Sequence, residues 1–140
     1  RFKSGAFEGN RFRQAPDHTV SLSAAWRRDL LGGTVTVRPS ATWQSKSFFE
    51  DNNDRPDLQR PPVTLVADLV QDEVQKAYGL LNLRIAYEPR GRDVTVEVFG
   101  ANLTDKTYLI DAGNTGLNFG LPTFIVGAPR TWGMELTGRF

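Results

Sequence analysis

The sequence predicts an all-β chain: an antiparallel, up-and-down set of about five to six strands belonging to a larger transmembrane β-barrel. Three observations predict it. Hydropathy alternates with a period of two over stretches of about 10–15 residues, longer than the ~5–6 usual for strands. The connections alternate short, long, short, long, as turns and loops on opposite sides of a membrane do. Aromatic residues on the apolar stripes gather near strand ends, where amphipathic rings meet headgroups.

The elements follow in order. Residues 18–27 put Val20, Leu22, Ala24 and Trp26 on one face and Thr19, Ser21, Ser23 and Arg27 on the other. Residues 28–32, with Gly33, read as a turn. Residues 33–47 repeat the alternation, with Val35, Val37, Ala41 and Trp43 opposite Thr34, Thr36, Arg38, Ser40, Thr42, Gln44 and Lys46. Pro39 has no N–H for the ladder, so a bulge or a missing bond is expected there. Residues 48–74 form a long polar connection whose second half, VTLVADLV, fits a short helix or hairpin. Residues 75–88 carry Leu81, Leu83, Ile85 and Tyr87 on one face. PRGR at 89–92 turns the chain into 93–103, with Val94, Val96 and Val98 opposite Thr95 and Glu97. A Gly-rich loop, 108–127, precedes the last strand, 129–140, where Trp132, Met134, Leu136 and Phe140 share a face. Residues 1–17 read as the end of an earlier strand plus a loop.

Composition narrows the function. The 140 residues suffice for one domain or part of one. With 17 basic and 16 acidic residues the formal net charge is +1, too balanced for a charge-driven nucleic-acid binder. Cys is absent, which excludes disulfides and thiolate chemistry, and a single His, His18, excludes a multi-His metal site. Arg1, Lys3 and Glu8 break any apolar leader, and an Arg1 start suggests a sequence that begins inside a longer protein. No catalytic residues and no cofactor are expected. No G-x-S-x-G elbow exists, and His18 reads as interfacial.

Two-faced strands admit a rival reading, a small soluble β-barrel binding a ligand in an apolar interior. Strand length, loop asymmetry and the aromatic belts favour lipid. With short turns on the periplasmic side, Trp26, Tyr87 and Phe140 fall at one membrane boundary and Trp43 and Trp132 at the other. Arg38, Lys46, Arg84, Glu97, Glu135 and Arg139 then line a wet lumen. Five or six strands cannot close a membrane barrel, whose smallest members have about 8, and open edges in lipid leave backbone groups unpaired.

The C-terminal residues carry a resemblance. VEVFGANLTDKTY (96–108), a Gly-rich loop and GAPRTWGMELTGRF (127–140) follow in that order. Asn102, Leu103, Thr104, Asp105 and Tyr108 resemble the NL[TF]D-x-x-Y motif of TonB-dependent outer-membrane receptors. Gly9, Asn10, Ala15, Pro16 and His18 resemble a loop of that family entering an earlier strand.

The resemblance implies the C-terminal part of a plugged barrel of about 22 strands, without its plug. It implies a non-catalytic transporter, with a ferric siderophore as the usual cargo. Partners would be the rest of the barrel, the plug, TonB, outer-membrane lipid and the barrel-assembly machinery. Gly133, Leu136 and Phe140 would belong to the assembly signal.

Phe49, Arg55, Tyr108, Phe119 and Phe124, in or beside the long loops, are the candidate ligand contacts, with Phe48, Arg60 and Arg130 as weaker ones. The Asp51–Asp57 run fails the EF-hand pattern at Arg55 and Pro56 and reads as a solvated loop. Asn102 and Asp105 are expected to bond backbone where strand meets loop.

Overall fold

The computed structural model describes residues 1–55, 57–58, 72–113 and 123–138. Every regular element among them is a strand: β1 (Thr19–Ser23), β2 (Trp26–Leu30), β3 (Gly33–Gln44), β4 (Ser47–Phe48), β5 (Val74–Gln75), β6 (Tyr78–Pro89), β7 (Val94–Ala101), β8 (Leu109–Gly113), β9 (Thr123–Val126) and β10 (Thr131–Gly138). The main sheet has the order β1-β3-β6-β7-β10, with β2 also on β3. This is an antiparallel meander in chain order, as the alternation predicted. β4 pairs with β5, and β8 with β9, in two small sheets.

Several boundaries differ from those read in the sequence. The first strand continues to Leu30, so the turn is Leu31–Gly32 and not 28–32. Both turn residues have positive φ, 55° and 72°. That two-residue geometry matches the twist of the flanking strands, and Gly32 takes half of it without strain. Trp26 opens β2, paired with Val37 and some way back from the Leu31–Gly32 turn. The same strand breaks at Ala24–Ala25, across from Pro39. Ala24 N donates to Pro39 O at 3.1 Å, and Pro39 has no N–H to return the bond. Residues 1–18 form turns and bends without a strand. The Gly-rich loop holds the β8–β9 hairpin, which its irregular composition concealed. VTLVADLV, Arg60, Phe119 and Phe140 lie outside the described residues.

Contacts divide the chain into two units. One comprises 1–19, 44–78 and 107–127; the other, 20–43, 79–106 and 128–140, is the sheet. Register assigns the sheet's faces, because directly paired residues share one. Leu83, Gly100 and Trp132 align across β6, β7 and β10, as do Ile85, Val98 and Met134, and Tyr87, Val96 and Leu136. The opposite face aligns Arg84, Phe99 and Gly133, then Ala86, Glu97 and Glu135.

Among the described residues no layer packs on the apolar face. Leu22 is 68% exposed, Met134 73% and Leu136 70%. The buried hydrophobic residues among those described are Phe49, Ala86 and Ala112. Burying a Leu or Met side chain stabilises by about 1.5–3 kcal/mol. Left in water, this face would forgo a sum comparable with the ~5–15 kcal/mol of a whole domain. A soluble barrel needs the face inside, and here it is uncovered.

Glycines let rings lie flat on the sheet. A Cβ on Gly100 would meet the Trp132 ring at 2.5 Å, and one on Gly133 would strike the Phe99 ring. The two pairs are adjacent in register and occupy opposite faces. Tyr87 covers Gly33 in the same way, and its hydroxyl donates to Leu31 O at 2.6 Å, tying the ring to the hairpin turn. A ring over a glycine restores the cross-strand contact that the missing side chain gives up.

Gly133→Val should destabilise the intact protein by about 1–3 kcal/mol, the usual cost of overpacking. Phe99→Ala in the same chain should recover part of that loss. Thermal unfolding of the two single variants and the double variant checks the coupling. Additive losses would contradict it.

Candidate functional site

The loop unit is built on polar brackets. Its first segment folds back on itself: Phe2 N donates to Asn10 O and Gly9 N to Phe2 O, both at 3.0 Å. Gly5 and Gly9 supply φ of 91° and 82°. This gathers Phe2, Phe7 and Phe12, with ring centroids 5.9 Å (Phe2–Phe7) and 4.8 Å (Phe2–Phe12) apart. The strand reading of 1–17 missed this trio; its signal was three Phe at intervals of five in a glycine-punctuated loop.

The Asp51–Asp57 run holds that segment. Asn53 accepts from Arg11 N at 2.6 Å and donates to Arg11 O at 2.8 Å, a two-way clasp on one residue's backbone. Buried Asn10 donates to Asp51 O at 2.9 Å and accepts from Arg55 at 3.3 Å. Asn53 and Asp54 take positive φ, which Asn and Asp tolerate better than most residues. Residues 51–54 are half-buried or buried, not the solvated loop expected. Among the described residues no group of three metal-ligating side chains converges.

The candidate ligand residues fall in different settings. Phe49 is 4% exposed, and its N–H donates to Glu73 O at 3.0 Å. It supports the loop from beneath and offers no surface to a ligand. Arg55 is half-exposed and paired with Asp57 at 2.6 Å. That bond holds the Asp57 carboxyl below its usual pKa. Tyr108 stacks on Tyr78, centroids 4.6 Å apart, and lies over Gly127. Phe124 on β9 is 45% exposed, beside exposed Ile125 and Val126. Buried Gln75 accepts from Leu109 N at 2.5 Å and so anchors β8. Periodicity gave no hint of Gln75, because its partner is a loop backbone 34 residues away. His18 is exposed; its carbonyl accepts from Ser45 N at 2.9 Å and its N–H donates to the Ser45 hydroxyl at 3.1 Å.

The Asn-Leu-Thr-Asp motif is a loop latch. Asn102 is 4% exposed with φ 49°. Its amide oxygen accepts from Lys106 N at 2.8 Å. Its amide nitrogen donates to Lys106 O at 2.9 Å and Ala128 O at 3.1 Å. One side chain thus joins the two ends of a long excursion. Asp105 accepts from Arg130 N at 3.4 Å and pairs with the Arg130 guanidinium at 3.3 Å. Both residues bond backbone, as their types suggested.

The sheet's polar face carries a charge cluster. Glu97 bridges Arg84 and Arg38, the latter at 3.6 Å, and the Arg84 guanidinium lies 5.2 Å over the Phe99 ring. Arg38, Arg84 and Phe99, with Ser40 and Asn82, line an open concavity of about 520 Å³.

An open antiparallel meander with an uncovered apolar face and a charged opposite face is a wall segment of a β-barrel. Residues 2–103 match the family described as TonB dependent receptor-like, beta-barrel, and the chain belongs to that family. The matched range ends inside the Asn-Leu-Thr-Asp motif, so the last strand lies beyond it. Two solved structures resemble the chain. The ferric yersiniabactin uptake receptor FyuA from Yersinia pestis gives a TM-score of 0.72 at 18% identity, over 93% of this chain and 17% of that one. BauA, the ferric preacinetobactin receptor from Acinetobacter baumannii, gives 0.63 at 21%, over 97% and 17%. The chain thus spans about a sixth of each receptor's length. At these identities the likeness shows the fold alone. No curated protein sequence matches. TonB-dependent receptors are outer-membrane proteins of Gram-negative bacteria, and the family comprises transporters, not enzymes.

Two tests follow from the loop chemistry. Asn102→Ala removes three hydrogen bonds to the backbone of Lys106 and Ala128, each contributing about 0.5–1.5 kcal/mol. It should lower the unfolding midpoint and open residues 102–108 to hydrogen exchange, while unchanged exchange there would refute the latch. Glu50 is raised from its ordinary pKa of 4.5, first by burial, then by Asp51 and Asp111, against the lowering effect of Arg13. Its folded form therefore binds the proton more tightly, and stability rises as pH falls from neutral toward the unfolded pKa. Glu50→Gln should protect residues 49–55 from exchange more than the parent at neutral pH. The gap should close on acidification.

Proposed function

We propose that this chain is the C-terminal wall of an outer-membrane, TonB-dependent active transporter for a ferric siderophore. The observation that carries it is the apolar sheet face, with Leu22, Val98, Trp132, Met134 and Leu136 exposed and no second layer on it among the described residues, in a chain of the receptor family. Lipid covers that face, and the charged face looks into the lumen. The two similar structures are receptors for ferric yersiniabactin and ferric preacinetobactin, which supports this cargo class.

The chain contributes wall, loops and the assembly signal around Gly133, Leu136 and Phe140. The barrel-assembly machinery reads that signal. The remaining strands close the barrel, a plug fills it, and TonB supplies energy through a segment outside this sequence. Trp43 and Trp132 mark one headgroup level, and Tyr87 and Phe140 the other. Arg55, Tyr108 and Phe124 are the ligand contacts proposed within the described residues, with Phe119 joining them. The role is non-catalytic, and no cofactor is required.

The test is uptake by iron-starved cells lacking the parent gene. Radiolabelled iron is supplied on a panel of hydroxamate, catecholate and phenolate siderophores. One of them should enter only when the full receptor is restored, and a proton uncoupler should stop it. Arg55→Ala and Phe124→Ala should weaken its binding several-fold. Unchanged uptake of every panel member would refute the cargo class.

A further inference from the structure

We infer that the first segment of the loop unit is a recognition patch for an anionic, aryl-bearing ferric chelate, built from the Phe2 and Phe12 rings and the cations beside them. The inference rests on the cargo class proposed above and narrows it.

The sequence holds two triplets of one pattern, Arg1-Phe2-Lys3 and Arg11-Phe12-Arg13, each a ring between two cations. They stand ten positions apart, and the fold brings them together. The backbone of Phe2 exchanges bonds with Gly9 and Asn10, and the Phe2 and Phe12 rings meet edge to face with centroids 4.8 Å apart. Phe7 lies against Phe2, yet Phe12 stays 51% exposed. The rings therefore present a surface and do not close a core.

Charge gathers around them. Residues 1–13 carry four basic residues and one acidic, Glu8, in a chain whose totals are 17 and 16. Arg11 is committed to Asp17 at 2.7 Å. Arg1, Lys3 and Arg13 are exposed, although the Arg13 charge also reaches Glu50. The segment is held from behind. Asn53 clasps the Arg11 backbone, Arg13 N donates to Asp51 at 3.4 Å, and Gln14 N donates to Phe48 O at 2.6 Å. A patch fixed in this way loses little freedom when a ligand arrives.

The chemistry of iron chelates selects the occupant. Iron(III) held by three catecholates is a trianion with aryl rings on its surface. Held by three hydroxamates it is neutral and has no rings. Oxygens of the anion accept charge-assisted bonds from Arg and Lys, and its rings pack on the exposed face or edge of Phe12. The neutral chelate can use neither feature.

The test measures binding by the intact receptor in nanodiscs. The probes are iron(III) complexes of catecholates, anionic phenolates, a ring-free anionic carboxylate and neutral hydroxamates. One aryl chelate should bind at least about tenfold more tightly than the carboxylate or any hydroxamate, and salt should weaken it. Lys3→Gln with Arg13→Gln should lower its affinity about tenfold and flatten the salt dependence. Phe12→Leu should lower it several-fold and leave the salt dependence in place, and Phe12→Trp, which keeps a ring, should recover most of the loss.

Unchanged affinity in the charge variant would overturn the patch. So would a loss in Phe12→Trp equal to that in Phe12→Leu, because packing of the loop would then be the ring's whole role. Carboxylate bound as tightly as the aryl chelate, or a hydroxamate bound best, overturns it and leaves the transporter reading standing. A receptor that binds no iron chelate sinks the cargo class and the patch together.

Discussion

Backbone pairing in an apolar medium constrains everything else in this sheet. Each N–H and C=O that enters hydrocarbon unpaired costs several kcal/mol, so a β structure there must be continuous and closed. The meander β1-β3-β6-β7-β10 meets the first demand strand by strand. Among the described residues β10 pairs only with β7, so the second is met only when further strands cover its free edge. The short span of the chain against the similar receptors fits that arrangement.

Side-chain chemistry follows from this frame. A wall one sheet thick has no interior, so residues cannot be stabilised by a core. They are stabilised by neighbours in the plane and by whatever lies on each face. In the plane, rings over glycines supply the missing contact: Trp132 on Gly100, Phe99 on Gly133 and Tyr87 on Gly33. On the charged face, Glu97 sits between two arginines, with 16% of its side chain exposed, so its charge is not left alone. The loop unit is tied together by side-chain amides. Asn10, Asn53 and Asn102 each bond backbone far along the chain or across a turn, and Asn53 and Asn102 adopt the positive φ that their type tolerates.

The wall was legible in the sequence, and the loops were not. Alternation is a local property, so Val35, Val37, Leu83, Ile85, Val96 and Val98 disclosed their face without knowledge of partners. Strand ends were less legible. Arg28 and Asp29 look like turn residues, yet they stay in the ladder because Leu31 and Gly32 make the turn between them and Gly33. Phe49 shows the limit for loops: an aromatic residue in a polar, Pro-rich stretch reads equally well as a ligand contact or as loop packing, and only the tertiary fold reveals that it is buried. The clasp of Asn53 on Arg11 spans 42 residues, a relation no local pattern encodes.

The same physics explains how the fold persists at 18% identity with a TM-score of 0.72. A packed core selects side chains by shape, because each must fit the volume its neighbours leave. A lipid-facing wall selects them by polarity, because a fluid solvent adapts to any apolar outline. Alternation, turn geometry and pairing then suffice to specify the strands, and most individual residues are free to change. The exceptions are positions where shape does matter: glycines under rings, the proline that breaks a ladder, the asparagine that joins two loop ends. The loops lie outside this scheme, because their sequence obeys no period and their hydrogen bonds join residues far apart in the chain.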